Sequence, residues 1–147
     1  MLRSKQVIKD TKLLVRSKEG RPIEILLAIL SVFSKQGKDE VSLSEFQETV
    51  AEVQQKFVLG YSFSERFLLS SDLLSDLKEL DYRGYTRDYH CRLDDLLPKR
   101  FISLTPLGRG QANRLLRALP DDIVEKLTSA VNIAMKNYKE RWRLWAR

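Results

Sequence analysis

The sequence predicts a mainly α-helical fold with a small β-hairpin and a long C-terminal helix. Over most of the 147 residues the apolar side chains recur every three or four positions, which is the spacing of a helix face. Between residues 89 and 104 the pattern changes to alternation and to strand-forming residues, which indicates two short strands. A chain of this length suffices for one good core, so we expect one domain with extended ends.

The first helix is predicted from its two ends as well as from its apolar face. Pro22 suits the first turn of a helix, the apolar face runs over Ile23–Phe33, and Gly37 suits the stop. The apolar run is too short for a bilayer, whose core needs about 20 residues, so it predicts a buried helix. A short extended segment follows at Val41 and Leu43, which alternate with polar residues.

The second and third helices are predicted from serines followed by apolar faces. Ser44 precedes Gln47 by three residues, as in a capping box, and Gly60 marks the end of the second helix. The third helix is expected over Ser64–Leu80, with a kink or restart at the Ser70-Ser71 pair.

The last part of the chain is predicted to form a hairpin and two helices. Tyr89–Leu93 alternates apolar and polar residues, and Phe101–Leu104 is rich in strand formers. Thr105 is placed as the N-cap of a fourth helix over Pro106–Leu119. The fifth helix starts near Asp121 and is the longest.

This order of elements is that of a winged helix-turn-helix domain, in which the hairpin is the wing and the helix before it is the recognition helix. The wing exit carries Leu104, Thr105, Pro106, Gly108 and Arg109. It resembles the corresponding segment of MarR- and PadR-type regulators, and also winged-helix modules of small toxin–antitoxin-associated proteins. The resemblance extends over about residues 22–120.

The resemblance implies a double-stranded DNA partner and assigns residues to it. In DNA-binding members the third helix enters the major groove and basic wing residues contact the backbone. The residues that would face bases are Ser62, Ser64, Glu65, Arg66 and Ser70. The residues that would lie along phosphates are Arg83, Arg87, Arg92, Lys99 and Arg100.

The charge of the third helix opposes this assignment. Between Ser64 and Leu80 it carries four acidic side chains, Glu65, Asp72, Asp76 and Glu79, against Arg66 and Lys78. A net charge of −2 disfavours approach to polyanionic DNA unless the acids face away from the groove. The alternative is a protein-interaction module, an adaptor or an antitoxin, that presents this acidic helix to a basic protein partner.

The formal charge of +6 is unevenly distributed along the chain. Residues 1–22 carry seven basic and two acidic side chains, and residues 136–147 carry five and one, whereas residues 23–82 are acidic overall. We therefore predict a basic N-terminal arm or helix over residues 1–21, a winged-helix domain over 22–119, and a C-terminal helix over 120–147.

The C-terminal helix is expected to mediate homodimerisation. Tyr138, Trp142 and Trp145 lie on or near one face at helical spacing, interleaved with basic residues. Such a face most often packs against a core or a second copy, and two-fold dimers are the commonest oligomers. Binding of this basic amphipathic helix to a membrane surface or to nucleic acid remains open.

The residue types needed for catalysis are sparse, so we expect no enzyme, no cofactor and no metal site. His90 and Cys91 are the single residues of their types, and as neighbours in a strand they point to opposite faces. With one cysteine, no signal peptide and no transmembrane segment, a cytoplasmic protein is predicted.

Overall fold

A computed structural model describes residues 16–64, 70–91 and 99–145. Within them, the chain forms five helices and a small three-stranded antiparallel sheet, which confirms the predicted mainly α fold with its long C-terminal helix. The elements follow in the order α1 (Glu24–Lys35), β1 (Glu40–Ser42), α2 (Leu43–Gln54), α3 (Ser71–Tyr82), β2 (Thr86–Cys91), β3 (Lys99–Leu104), α4 (Pro106–Ala118) and α5 (Asp121–Trp145).

The central element is α1, which is buried from Glu24 to Phe33. It packs against α4, α5 and the sheet, so its apolar residues face neighbours on nearly every side. The buried carboxylate of Glu24 pairs with Arg114 and accepts a hydrogen bond from Gln111 Nε2 at 3.0 Å, both on α4. The predicted helix and its stop are confirmed, and Gly37 has the positive φ of 84° that ends many helices.

The start of α2 differs from the prediction. Ser42, and not Ser44, caps the helix, because its Oγ accepts from the backbone N–H of Glu45 at 3.3 Å. Gln47 does not complete a capping box, and its Oε1 accepts from the N–H of Ser70 instead. The helix ends at Gln54, before the predicted Gly60, and the side-chain amide of Gln54 bonds both the N–H and the C=O of Tyr61, which holds the returning chain.

The described α3 begins at Ser71, seven residues after the predicted start at Ser64 and at the Ser70-Ser71 pair where a kink or restart is expected. Ser70 has extended backbone angles and caps the helix by accepting from the N–H of Leu73 at 3.2 Å. Residues 61–64 have no regular secondary structure, and residues 65–69 lie outside the described part of the chain. The helix ends at Tyr82, and Gly84 then takes a φ of 84°.

The sheet has the strand order β1-β3-β2, with antiparallel pairing throughout. Strand β2 begins at Thr86, three residues before the predicted start, because Thr86 pairs with Leu104 and extends the ladder to the end of β3. With α2 and α3 between β1 and β2, this topology is the winged helix-turn-helix arrangement.

Thr105 links the end of the wing to the start of α4 and to the end of α3. Thr105 Oγ1 accepts from the N–H of Gly108 at 3.1 Å, which caps α4 as predicted, and donates to the C=O of Gly84 at 2.6 Å. Pro106 takes the first helical position. The cap therefore joins the start of α4 to the chain that leaves α3.

Candidate nucleic-acid interface

Three sides of α3 have different surroundings. At about 100° per residue, positions three and four apart share a side of a helix. The side turned to the core carries Leu73, Leu77 and Leu80, all buried. A second side, which we call the outer face, is exposed along the whole helix and consists of Ser71, Ser75, Lys78 and Tyr82. It carries one positive charge and no acid.

The most acidic side of α3 is turned towards the N-terminal part of the chain, and Asp76 is only 1% exposed. Arg21 donates to it twice, from Nε to Oδ2 at 2.7 Å and from Nη2 to Oδ1 at 2.9 Å. The hydroxyl of Tyr61 donates to Oδ2 at 2.8 Å, and the guanidinium of Arg21 lies 5.5 Å from the centre of the Tyr61 ring. We call these three residues the anchor network.

Both partners of Asp76 keep their protons in this network. The hydrogen bond to Asp76 raises the pKa of Arg21 above its ordinary value, against the effect of burial. Burial, together with the negative charge of Asp76, raises the pKa of the Tyr61 hydroxyl. The buried carboxylate therefore has a cation and a hydroxyl donor beside it, on a side of α3 away from the outer face.

Two further acids of α3 also have partners. Glu79 pairs with Arg83 at 2.6 Å and accepts from the backbone N–H of Lys18 at 3.3 Å. Asp81, on the side towards the sheet, accepts from the N–H of Asp88 at 3.2 Å. The net charge counted along the predicted helix thus does not describe the surface that α3 presents to solvent.

The wing offers fewer free cations than its sequence indicates. Arg100 on β3 forms an ion pair with Asp88 on β2, a diagonal neighbour on the same face of the sheet, and this bond raises the pKa of Arg100. Arg87 is exposed and points to the opposite face, on which the rings of Tyr89 and Phe101 stack at 6.0 Å. Arg87 is therefore better placed than Arg100 for a phosphate.

The predicted base-facing residues are not brought together on α3. Ser62 and Ser64 are exposed but precede the described helix, and Glu65 and Arg66 lie outside the described residues. Ser70 is the clear correction, because its side chain is 1% exposed and its hydroxyl is used as the helix cap. A buried cap has no free surface for a base.

The predicted phosphate contacts are only partly available. Arg83 is exposed and also donates to the C=O of Arg16 at 3.1 Å, so it lies where the N-terminal chain meets α3. Lys99 is the first residue of β3 and pairs in register with Cys91, but its side chain is not among the described ones. Arg92 lies outside the described residues altogether.

Of the predicted dimerisation residues, Tyr138 has a partner within its own chain. Its hydroxyl lies 2.9 Å from Ser44 Oγ on α2, against which α5 packs. Trp142 and Trp145 belong to α5, and their side chains lie outside the described ones. The dimer stays a prediction.

Sequence reasoning missed the outer face because it placed the start of α3 too early. Ser71, Ser75, Lys78 and Tyr82 follow the intervals four, three and four, which is the same signal that identified the apolar faces. A polar stripe is seldom informative by itself, but Tyr82 is 91% exposed, which is unusual for a large aromatic side chain.

Comparison with known proteins gives little beyond this geometry. No family model matches the sequence, and no curated protein matches it either. Among solved structures, the chain is similar to the circadian clock associated protein Pex from Anabaena, with 20% identity over 65% of this chain and 75% of that chain and a TM-score of 0.41. The assignment of the fold rests on the element order and the strand pairing given above.

The described part of the chain shows neither a metal-binding cluster nor a membrane-spanning helix. Its histidine, cysteine and acidic side chains form no cluster of three or more that could hold a metal ion. Its helices are all too short or too polar to cross a membrane.

Proposed function

We propose that the chain is a winged-helix DNA-binding protein, a cytoplasmic transcriptional regulator that acts as a homodimer. The outer face of α3 is the observation that carries this proposal. It is exposed, polar and free of carboxylates, and it lies on the helix that corresponds to the one entering the major groove in proteins of this fold. The likeness of the wing exit to MarR- and PadR-type regulators supports the same class.

The chemistry of the outer face suits a groove. Serine hydroxyls donate to and accept from base edges, and a lysine donates to the acceptors of guanine. Ser71 and Ser75 lie in the first two turns and Lys78 in the third, with Tyr82 at the end of the helix. Arg87 lies exposed on β2 at the base of the wing, where a cation would meet the backbone.

The alternative, a module that presents an acidic helix to a basic protein, loses most of its basis. Of the four acids on the described α3, Asp76 is buried, and Asp72 and Glu79 are partly buried. Asp81 alone among them is exposed, and one carboxylate does not make an acidic surface.

The homodimer is proposed from the sequence of α5. Aromatic and apolar residues at helical spacing beyond Tyr138 favour a packed interface, and a two-fold dimer would place two copies of α3 on successive major grooves. Light scattering of the purified protein should give twice the mass of the 17.1 kDa chain, and a monomeric mass would contradict this part of the proposal.

The DNA-binding proposal is tested with a fluorescein-labelled duplex of random sequence, because binding to the phosphate backbone needs no cognate site. We expect binding at low salt whose affinity falls steeply as salt rises. Lys78→Ala combined with Tyr82→Ala should weaken binding about tenfold, the effect of losing about 1.4 kcal/mol of contact energy. Lys35→Ala, which removes an exposed cation from α1, is the matched control and should bind as the wild type does.

Two results would contradict the proposal. One is the absence of duplex binding by the folded wild-type protein at low salt. The other is equal affinity of the Lys78 and Tyr82 double variant and the Lys35 control, since the outer face would then not be the contact surface. Both variants change exposed side chains, so circular dichroism should show the same fold in each.

A further inference from the structure

One side of α5 is exposed over several turns of the helix. The opposite side packs on α1 and α2 and is formed by buried residues such as Leu127, Val131 and Ala134. At about 100° per residue, the side turned away from this core carries five exposed residues, which we call the solvent face of α5. The solvent face consists of Glu125, Ser129, Asn132, Ile133 and Lys136. A shallow groove of about 470 Å³ runs along it.

The middle of the solvent face has short side chains and one apolar one. Ser129 and Asn132 lie at its centre, and Ile133 beside them is 39% exposed. The Oδ1 atom of Asn132 accepts a hydrogen bond from Gln36, which holds the amide in place. Short side chains let the axis of a second helix come close, and an exposed isoleucine gains free energy when it is covered. The centre of the face is therefore suited to packing against another helix.

The two ends of the solvent face carry opposite charges. Glu125 lies near the start of α5, and Lys136 follows eleven residues later, about 16 Å further along the helix axis. Both side chains are exposed, and neither takes part in an ion pair among the described residues. A parallel copy of the helix would place like charges together, whereas an antiparallel copy places the acid against the base. The face is thus complementary to an antiparallel copy of itself.

One register of the antiparallel pair joins the centre and both ends of the face. When Ser129 of one copy lies beside Asn132 of the other, the residues four positions earlier on the first and four positions later on the second lie beside each other too. These residues are Glu125 and Lys136. A two-fold axis repeats every contact, so the pair of helices contains two contacts between a hydroxyl and an amide and two ion pairs.

We propose that the solvent face of α5 binds a second copy of this chain, with the two α5 helices antiparallel about a two-fold axis. The inference rests on the homodimer of the proposed function and names its contact surface, which lies earlier on α5 than the predicted aromatic residues. The side chain of Tyr138 is turned the other way, towards α2 of its own chain. Beyond the ion pairs, Asp122 comes level with Lys139 and Glu140 of the second copy, whose charges cancel. The charge complementarity therefore comes from the two ion pairs.

The test is the self-association of charge-reversal variants of the full chain, measured by sedimentation equilibrium at low salt. Glu125→Lys makes two lysines face each other in each ion pair, and Lys136→Glu makes two glutamates do so. Each reversal changes two symmetric contacts by about tenfold each, so the dissociation constant of the dimer should rise about 100-fold in either variant. The matched control is Lys78→Glu, which makes the same change of charge on the exposed outer face of α3 and should keep the wild-type dissociation constant.

Two combinations distinguish a direct contact from a general weakening of α5. The double variant Glu125→Lys with Lys136→Glu again has opposite charges facing each other and should regain the wild-type dissociation constant. An equimolar mixture of the two single variants should form heterodimers, because every ion pair between them then joins a lysine to a glutamate. A loss of helix structure would not be reversed in either combination, and circular dichroism of each variant measures that structure.

Weaker dimers of each single variant, together with recovery in the double variant and in the mixture, support the proposal. A wild-type dimer that withstands both reversals refutes the solvent face, while the homodimer of the proposed function stands with its contact elsewhere. Single variants that dissociate without recovery in either combination also overturn the proposal, because the two side chains would then not face each other. A monomeric wild type contradicts the homodimer itself, and the proposed interface falls with it.

Discussion

Replacing Gly108 by alanine should destabilise the protein although glycine is a poor helix former. Gly108 lies in the first turn of α4, where that helix crosses the chain entering β2. An added Cβ would lie 1.9 Å from the carbonyl oxygen of Tyr85 and 3.2 Å from Leu104 Cδ2. The close neighbour is backbone, and its position is fixed by the bonds of Thr105 to Tyr85 and Gly84, so it cannot move without opening the base of the wing.

The expected magnitude follows from two opposing effects. Overpacking of this kind costs about 3 kcal/mol, and alanine recovers about 1 kcal/mol of helix propensity, so Gly108→Ala should lower the free energy of unfolding by about 2 kcal/mol. Gly110 lies in the same helix, is exposed and has nothing within 4 Å of an added Cβ. Gly110→Ala should therefore raise the free energy of unfolding by up to about 1 kcal/mol.

Urea unfolding followed by circular dichroism measures both changes, with equal slopes of free energy against urea as the check that the unfolding transition is the same. The two alanines differ only in their surroundings, so their difference isolates the close approach. Equal stabilities of Gly108→Ala and Gly110→Ala would refute the packing of α4 on the wing base described above.

The anchor network gives two further predictions, both measured by urea unfolding. Asp76→Ala leaves the guanidinium of Arg21 without its buried partner and should cost about 3 kcal/mol, whereas Asp72→Ala, one turn earlier and partly exposed, should cost less than about 1 kcal/mol. An equal loss in both variants would argue against a buried pair. Tyr61→Phe removes one donor from Asp76 but keeps the ring and should cost about 1 kcal/mol, and a loss as large as that of Asp76→Ala would mean that Arg21 is not the main partner.

The sequence predicts well those elements whose signals are local. The helix α4 starts at Pro106 and is capped by Thr105 because the cap, the proline and the apolar face lie within a few residues of one another. The same holds for α1, whose apolar run between Pro22 and Gly37 has no competing start. In both cases the local preference and the tertiary packing agree.

The starts of α2 and α3 are predicted poorly because several serines compete for the cap. Ser42 and Ser44 are equivalent by residue type, and the choice is made by β1, whose pairing of Ser42 with Phe101 leaves Ser42 extended and ready to cap. Ser70 is fixed by the side chain of Gln47, 23 residues away. Such long-range contacts decide between caps of similar intrinsic strength, and the local sequence does not record them.

The charge of α3 shows why a count along the sequence misjudges a surface. Four of the twelve residues of α3 are acidic, yet the outer face has no carboxylate, because Asp76 and Glu79 lie on another side of the helix, where Arg21 and Lys18 bind them. The partner of Asp76 is Arg21, 55 residues earlier, so no local pattern links them. Taken separately along the sequence, the basic N-terminal segment favours DNA binding, and the acidic third helix disfavours it. In the fold Arg21 of the N-terminal segment pairs with Asp76 of α3, and Lys78 and Arg87 stay exposed on the outer face and on the wing strand β2.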